Sequence, residues 1–127
     1  MLRNVSLLLY GLLYLGGSAI ADVPDDQVVE VEHLLAHVES SGCTFIRNGD
    51  QHAAADSVSH IMKKYDYYRD DIKNTEDFIS YSATRSVLSG KYYTVSCPGQ
   101  ETMRTQDWLM AELKHYRNHY RQEHEKK

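Results

Sequence analysis

The chain has little of what would give its chemistry away. Its 127 residues hold two cysteines, and no C-x-x-C pair, which excludes the paired-thiolate zinc and redox motifs. There is no G-x-S-x-G, no H-E-x-x-H and no glycine-rich phosphate loop. Catalysis therefore has no local signature, although triads assembled from distant positions stay open. Cations are not in excess: 14 Lys and Arg stand against 18 Asp and Glu, a formal charge of -4. That argues against nucleic acid as a partner, because phosphate contacts need clustered Lys and Arg. The segment from Lys114 is locally basic but interleaved with Glu123 and Glu125, which reads as a solvated helix end. No apolar run approaches the roughly 20 residues of a membrane span.

The longest apolar run, Val5 to Leu15, follows Arg3 and precedes Ala19-Ile20-Ala21. A positive start, a short apolar centre and an A-x-A ending predict a secretory signal over residues 1–21. The mature chain, Asp22 to Lys127, is then one globular domain. Without Arg3 its charge is one unit more negative. Periplasmic or secreted localisation follows, with no membrane span after cleavage. In an oxidising compartment the even count predicts a Cys43–Cys97 disulfide.

Periodicity predicts helices over about Asp25–Ser41, Gln51–Tyr68 and Thr75–Thr84, and a last one capped by Thr105. The last helix would bury Leu109, Leu113, Tyr116 and Tyr120, with Trp108 at the margin. Thr44–Arg47 and Tyr92–Ser96 read as strands, and Asn48-Gly49 as a turn. The expected fold is mainly α, of the α+β class. It has about four helices, a small two-stranded antiparallel ribbon and one disulfide.

The second helix carries the densest chemistry. On a wheel of about 100° per residue, His52, Asp56, His60, Lys63 and Lys64 share one arc opposite the apolar face. Asp56, His60 and Lys64 are i,i+4 neighbours and can pair. Such a stripe is ordinarily the wet face of an amphipathic helix. It becomes a candidate site because Arg47, Asn48 and Gly49 precede the helix start, where free N–H groups and the dipole favour anions. Arg47 adds a planar donor fork, and His60 is placed to titrate near neutrality. The pairs His33/His37 and His115/His119 have metal-holding spacing but no third ligand, so no metal or other cofactor is expected. His33 and His37 are expected to point away from the core. Tyr65 and Tyr68 read as core, with Tyr67 exposed.

Phe45-Ile46-Arg47-Asn48-Gly49, followed by His52, His60 and Lys64, resembles the signature of the YfeK-like family. These are small secreted proteins of Gram-negative bacteria with a domain of unknown function. Glu76, Phe78 and Ile79 resemble its second segment, and Ser89-Gly90 with Tyr92 or Tyr93 its third. Asn74 departs from the threonine expected there, but both residues cap helices. The resemblance implies export and gives weight to the Arg47–Lys64 stretch. It supplies no activity.

The combined expectation is an exported, non-catalytic binding or accessory protein of the cell envelope. Arg47, Asn48, Gly49, His52, Asp56, His60 and Lys64 would hold an acidic group of an envelope protein or an anionic small ligand. The alternatives are a small envelope hydrolase or transferase with His60 as general base, oriented by Asp56, or an inhibitor or immunity protein against a cell-wall enzyme.

Overall fold

The computed structural model describes residues 22–125. The expected signal over residues 1–21 lies outside the described residues. Helix α1 spans Asp25–Ser40, with Asp25 and Asp26 in its first turn, where acids complement the helix dipole. Gly42 follows at φ +69°, the left-handed conformation that stops a helix. The chain then enters β1 (Thr44–Arg47) and turns through Asn48 (φ +53°) and Gly49 (φ +84°) into β2 (Asp50–His52). Positive φ at both central residues is the type I′ requirement that Asn-Gly meets.

Helix α2 (Ala54–Tyr67) and a short 3-10 turn (Arg69–Asp71) lead to α3 (Thr75–Ser82). Asn74 caps α3 by accepting from the Asp77 N–H at 2.7 Å, and Asp77 accepts from the Lys73 N–H at 3.1 Å. Strands β3 (Thr94–Ser96) and β4 (Met103–Arg104) precede α4 (Thr105–Glu125). The α+β class and, among the described residues, the four helices are as expected. The expected ribbon is the β1–β3 pair at the centre of a four-stranded antiparallel sheet, ordered β2-β1-β3-β4. Residues Asp50–His52 pair with β1, so the second helix starts at Ala54 rather than Gln51.

Thr44 faces Ser96 and Phe45 faces Val95 across β1 and β3. The next position outward in that register joins Cys43 to Cys97, which form a disulfide with Cα atoms 4.3 Å apart. Phe45, Val95, Leu34, Phe78, Ile79, Leu109 and Leu113 are almost fully buried in one core, supplied by the sheet and by α1, α3 and α4. Among the described residues this is one continuous core, to which Ile61 of α2 also belongs. Tyr65 meets Phe78 edge-on at 5.2 Å, and Tyr67 is 81% exposed, as the helical spacing predicts.

Three expectations fail for reasons of packing. Thr105 does not cap α4: its hydroxyl is buried without a partner, while its N–H donates to the Tyr93 carbonyl at 3.0 Å. Tyr120 is half exposed, because the last turns of α4 run beyond the core. His33 and His37 are only part-exposed, 34% and 30%, because α4 lies against that side of α1. His33 Nε2 sits 2.7 Å from a Glu112 oxygen, and the His37 ring packs 4.5 Å from Trp108. Among the described residues no group of three or more His, Cys, Asp or Glu side chains is placed to hold a metal.

Arg117 of α4 ties three helices together. It donates to Glu30 of α1 at 2.8 and 2.9 Å and to Glu76 of α3 at 2.8 and 3.1 Å. Hydrogen bonds from Arg117 hold both carboxyls below the usual range. Replacing Arg117 with Met is expected to cost about 1–2 kcal/mol at pH 7, because Glu30, at 12% exposed, is more deeply set than Arg117 at 35%. Urea unfolding at pH 7 and pH 3 checks this: the cost should shrink as the pH falls and the glutamates begin to take up protons.

Candidate functional site

The polar stripe of α2 is not a convex, open face. Tyr93, just before β3, and the loop running from Arg85 to Tyr92 close over it. The result is an open groove of about 410 Å³ between α2 and that loop. Its lining includes Arg47, Asn48, His60, Lys63 and Lys64, and contains no carboxylate.

A hydrogen-bonded relay crosses the groove. Lys64 Nζ donates to the Arg85 carbonyl at 2.8 Å and to Tyr93 Oη at 3.2 Å, and sits 4.9 Å from the Tyr93 ring centre. Lysine has only donors, so the Tyr93 hydroxyl accepts from it and donates onward to His60 Nε2, 3.1 Å away. That assignment requires a neutral His60. Burial, reinforced by Arg47, Lys64, His52 and Lys63, lowers the His60 pKa to about 4. The expectation that His60 titrates near neutrality therefore fails. The wheel showed its charged neighbours but not the cover that desolvates it. Burial, then Arg47, pushes the Lys64 ammonium below its usual value, and burial raises Tyr93.

The cations here differ from the other half-buried cations of the molecule. Arg69 holds Asp22 and Asp66, and Arg117 holds Glu30 and Glu76. Arg47 and Lys64 hold no carboxylate among the described residues. Arg47 reaches only His52 Nδ1, at 3.3 Å. The same nitrogen lies 3.2 Å from Asp56 Oδ2. It can accept from Arg47 or donate to Asp56, but not both at once.

Of the residues singled out in the sequence, the groove gathers Arg47, Asn48, His60 and Lys64. Gly49 shapes the hairpin turn, and His52 and Asp56 pair outside the groove lining. Asp56 pairs with His52 rather than His60, so the general-base arrangement of the hydrolase alternative is not formed. Strand β2 lies between Gly49 and Ala54, so the Arg47–Gly49 segment does not lead directly into the helix start. The relay adds the Arg85 carbonyl, which was not singled out, and Tyr93, which entered only as one of two tyrosines in the family resemblance. The alternation of Tyr93 with Val95, both buried, was the available signal for the tyrosine. Beneath the groove a void of about 20 Å³ touches His60, Ser57 and Thr105, and the last two carry buried hydroxyls without partners. The void has room for one water.

The model of a family described as "Family of unknown function (DUF5329)" matches residues 25–117. The chain belongs to this family. The match runs from the first turn of α1 to Arg117, so the DUF5329 domain contains the groove, the disulfide and the three-helix ion pair. The chain is also 38% identical over 60 residues to the "Uncharacterized protein YfeK" of Salmonella typhimurium (strain LT2). That alignment covers 47% of this chain and 50% of the relative, so the chain spans about half the length of the curated protein it matches. No solved structure matches. Among the described residues no helix is long and apolar enough to cross a membrane.

Proposed function

We propose that this DUF5329 protein is an exported, non-catalytic binding protein of the cell envelope. Its groove holds an acidic group of a partner or small ligand, with Arg47 and Lys64 making the contacts. The observation that carries this reading is the pair of half-buried cations with no carboxylate partner, in a groove lined by none. Partly desolvated positive charge is costly when uncompensated, and an incoming anion relieves that cost. The guanidinium offers a planar fork and the ammonium a point charge, a combination suited to carboxylate or phosphate. His60, neutral and bonded to Tyr93, positions the tyrosine rather than supplying charge.

The test is a titration of residues 22–127 with inorganic phosphate, followed through the His60 ring signals by NMR. Saturable binding should raise the His60 pKa above about 4, because a nearby anion favours the imidazolium. Arg47→Gln with Lys64→Gln should weaken binding by at least about thirtyfold, two charge-assisted contacts being lost. Undiminished affinity in that folded double variant would sink the reading. Export is a separate expectation, checked by fractionation of cells making the full chain: retention of an unprocessed chain in the cytoplasm would refute it.

A further inference from the structure

The rim of the groove carries a second property that anion binding alone does not need. Leu88 is 95% exposed and Val87 70%, side by side at the tip of the loop, and Tyr67 at the end of α2 is 81% exposed. All three line the same groove as the cations. A lone exposed leucine is ordinary, but this tip is held outward by a dense set of internal bonds. The Ser86 N–H donates to the Lys91 carbonyl at 2.9 Å, and the Gly90 N–H to the Ser86 carbonyl at 2.8 Å. The Ser86 hydroxyl oxygen accepts from the Ser89 N–H and from the Asn48 amide, both at 3.3 Å, and the Lys91 N–H bonds the Ser89 hydroxyl at 3.2 Å. The Ser89 hydroxyl in turn donates to Asn48 Oδ1. The loop's polar groups face inward to the hairpin, and its two apolar side chains face out.

Charge follows the same geometry. Lys63 lines the groove, and Arg85 and Lys91, both exposed, bracket the loop in sequence. On a chain of net charge -4 a groove lined by three cations and no carboxylate is a local positive field that orients the molecule toward an anionic surface.

We propose that this rim docks the protein onto an anionic phospholipid surface. The Val87-Leu88 tip enters the interface while Arg47 and Lys64 take a lipid phosphate. The proposal rests on the anion-site reading above and adds what carries the anion. A bilayer presents phosphates directly above acyl chains, which is the vertical order of cations and apolar tip on this rim. Tyr67 suits the headgroup level between them, with an apolar ring and a polar end. A peptide partner is less well matched, because the N–H groups of Ser86, Ser89, Gly90 and Lys91 are already bonded within the protein.

The experiment is co-sedimentation of residues 22–127 with vesicles of phosphatidylcholine alone or with about one-third phosphatidylglycerol. The phosphate titration is run in parallel. Binding is expected only to the anionic vesicles, weakening steeply as salt is raised. Val87→Ser with Leu88→Ser should lower partitioning by about tenfold or more and affect the phosphate titration far less, because Arg47 and Lys64 remain. Lys63→Gln should lower partitioning by about fivefold. Equal binding by the double-serine variant, or a wild type that stays with the supernatant in both vesicle types, overturns the docking proposal. If phosphate still shifts His60 in a protein that ignores vesicles, lipid docking falls and the anion site stands. If neither binds, both fall.

Discussion

Replacing Cys43 and Cys97 with serine is expected to remove about 3–4 kcal/mol of folding stability. The cross-link closes a segment of 54 residues, and the chain-entropy account assigns a loop of that length about 4 kcal/mol. Strain or residual structure in the reduced chain only lowers that figure. Against a total of about 5–15 kcal/mol for a domain of this size, the loss brings the protein near its unfolding threshold. The placement favours the upper part of the range, because the cysteines continue the register of paired β1 and β3 and need no backbone movement to meet. Urea unfolding of the serine variant beside the oxidised protein measures the difference. A cost below about 1 kcal/mol would show that strand pairing by itself holds the two halves together.

Lowering the pH from about 6.5 to 4.5 is expected to erode stability through His60 before the carboxylates dominate. The folded-state pKa is about 4, depressed by burial and by Arg47 and Lys64, whereas the unfolded chain takes up the proton near 6.5. Between those values the unfolded state binds more protons, so stability rises with pH and is lost on acidification. The full shift would be worth about 3 kcal/mol, and partial exposure reduces this to about 2 kcal/mol. His37, also lowered by burial, acts in the same direction. Asp22, Glu30 and Glu76 have depressed pKa values and act lower, below about 4.5. His60→Gln should therefore flatten the dependence between pH 6.5 and 4 and leave the steeper acid limb intact. Thermal unfolding across pH, with and without saturating phosphate, reads both effects. A variant whose profile overlays the wild type would show that His60 takes up its proton in the folded state at an ordinary pH.

The helices were legible because Val31, Leu34 and Val38, or Leu109 and Leu113, recur at the spacing of a buried stripe. The Asn48-Gly49 signal located the hairpin turn, yet β2 was absorbed into the helix that follows. Asp50, Gln51 and His52 form no apolar face, and their strand character lies entirely in backbone pairing with β1. Met103–Arg104 is too short to carry any pattern. The site was half legible. Arg47, Asn48, His60 and Lys64 could be singled out, but a helical wheel treats every polar face as wet. Tyr93 and the Arg85 carbonyl reach Lys64 across 29 and 21 positions of chain. That cover turns a solvated stripe into a groove with a neutral histidine. The same blindness misplaced His33 and His37, since the helix that buries them is contributed by Trp108, Glu112 and Tyr116 at successive i,i+4 positions.

The order of the sheet also sets the timetable on which this molecule can assemble. The central strand comes from residues 44–47, and its inner neighbour from residues 94–96. The first 96 of the 127 residues must be present before those two strands meet, and such distant pairings form late and slowly. Arg47, Lys64 and Tyr93 are drawn together only by that pairing, so the groove has no early, partial version. A growing chain shows these side chains singly until residue 96 arrives, and the groove then forms in one step.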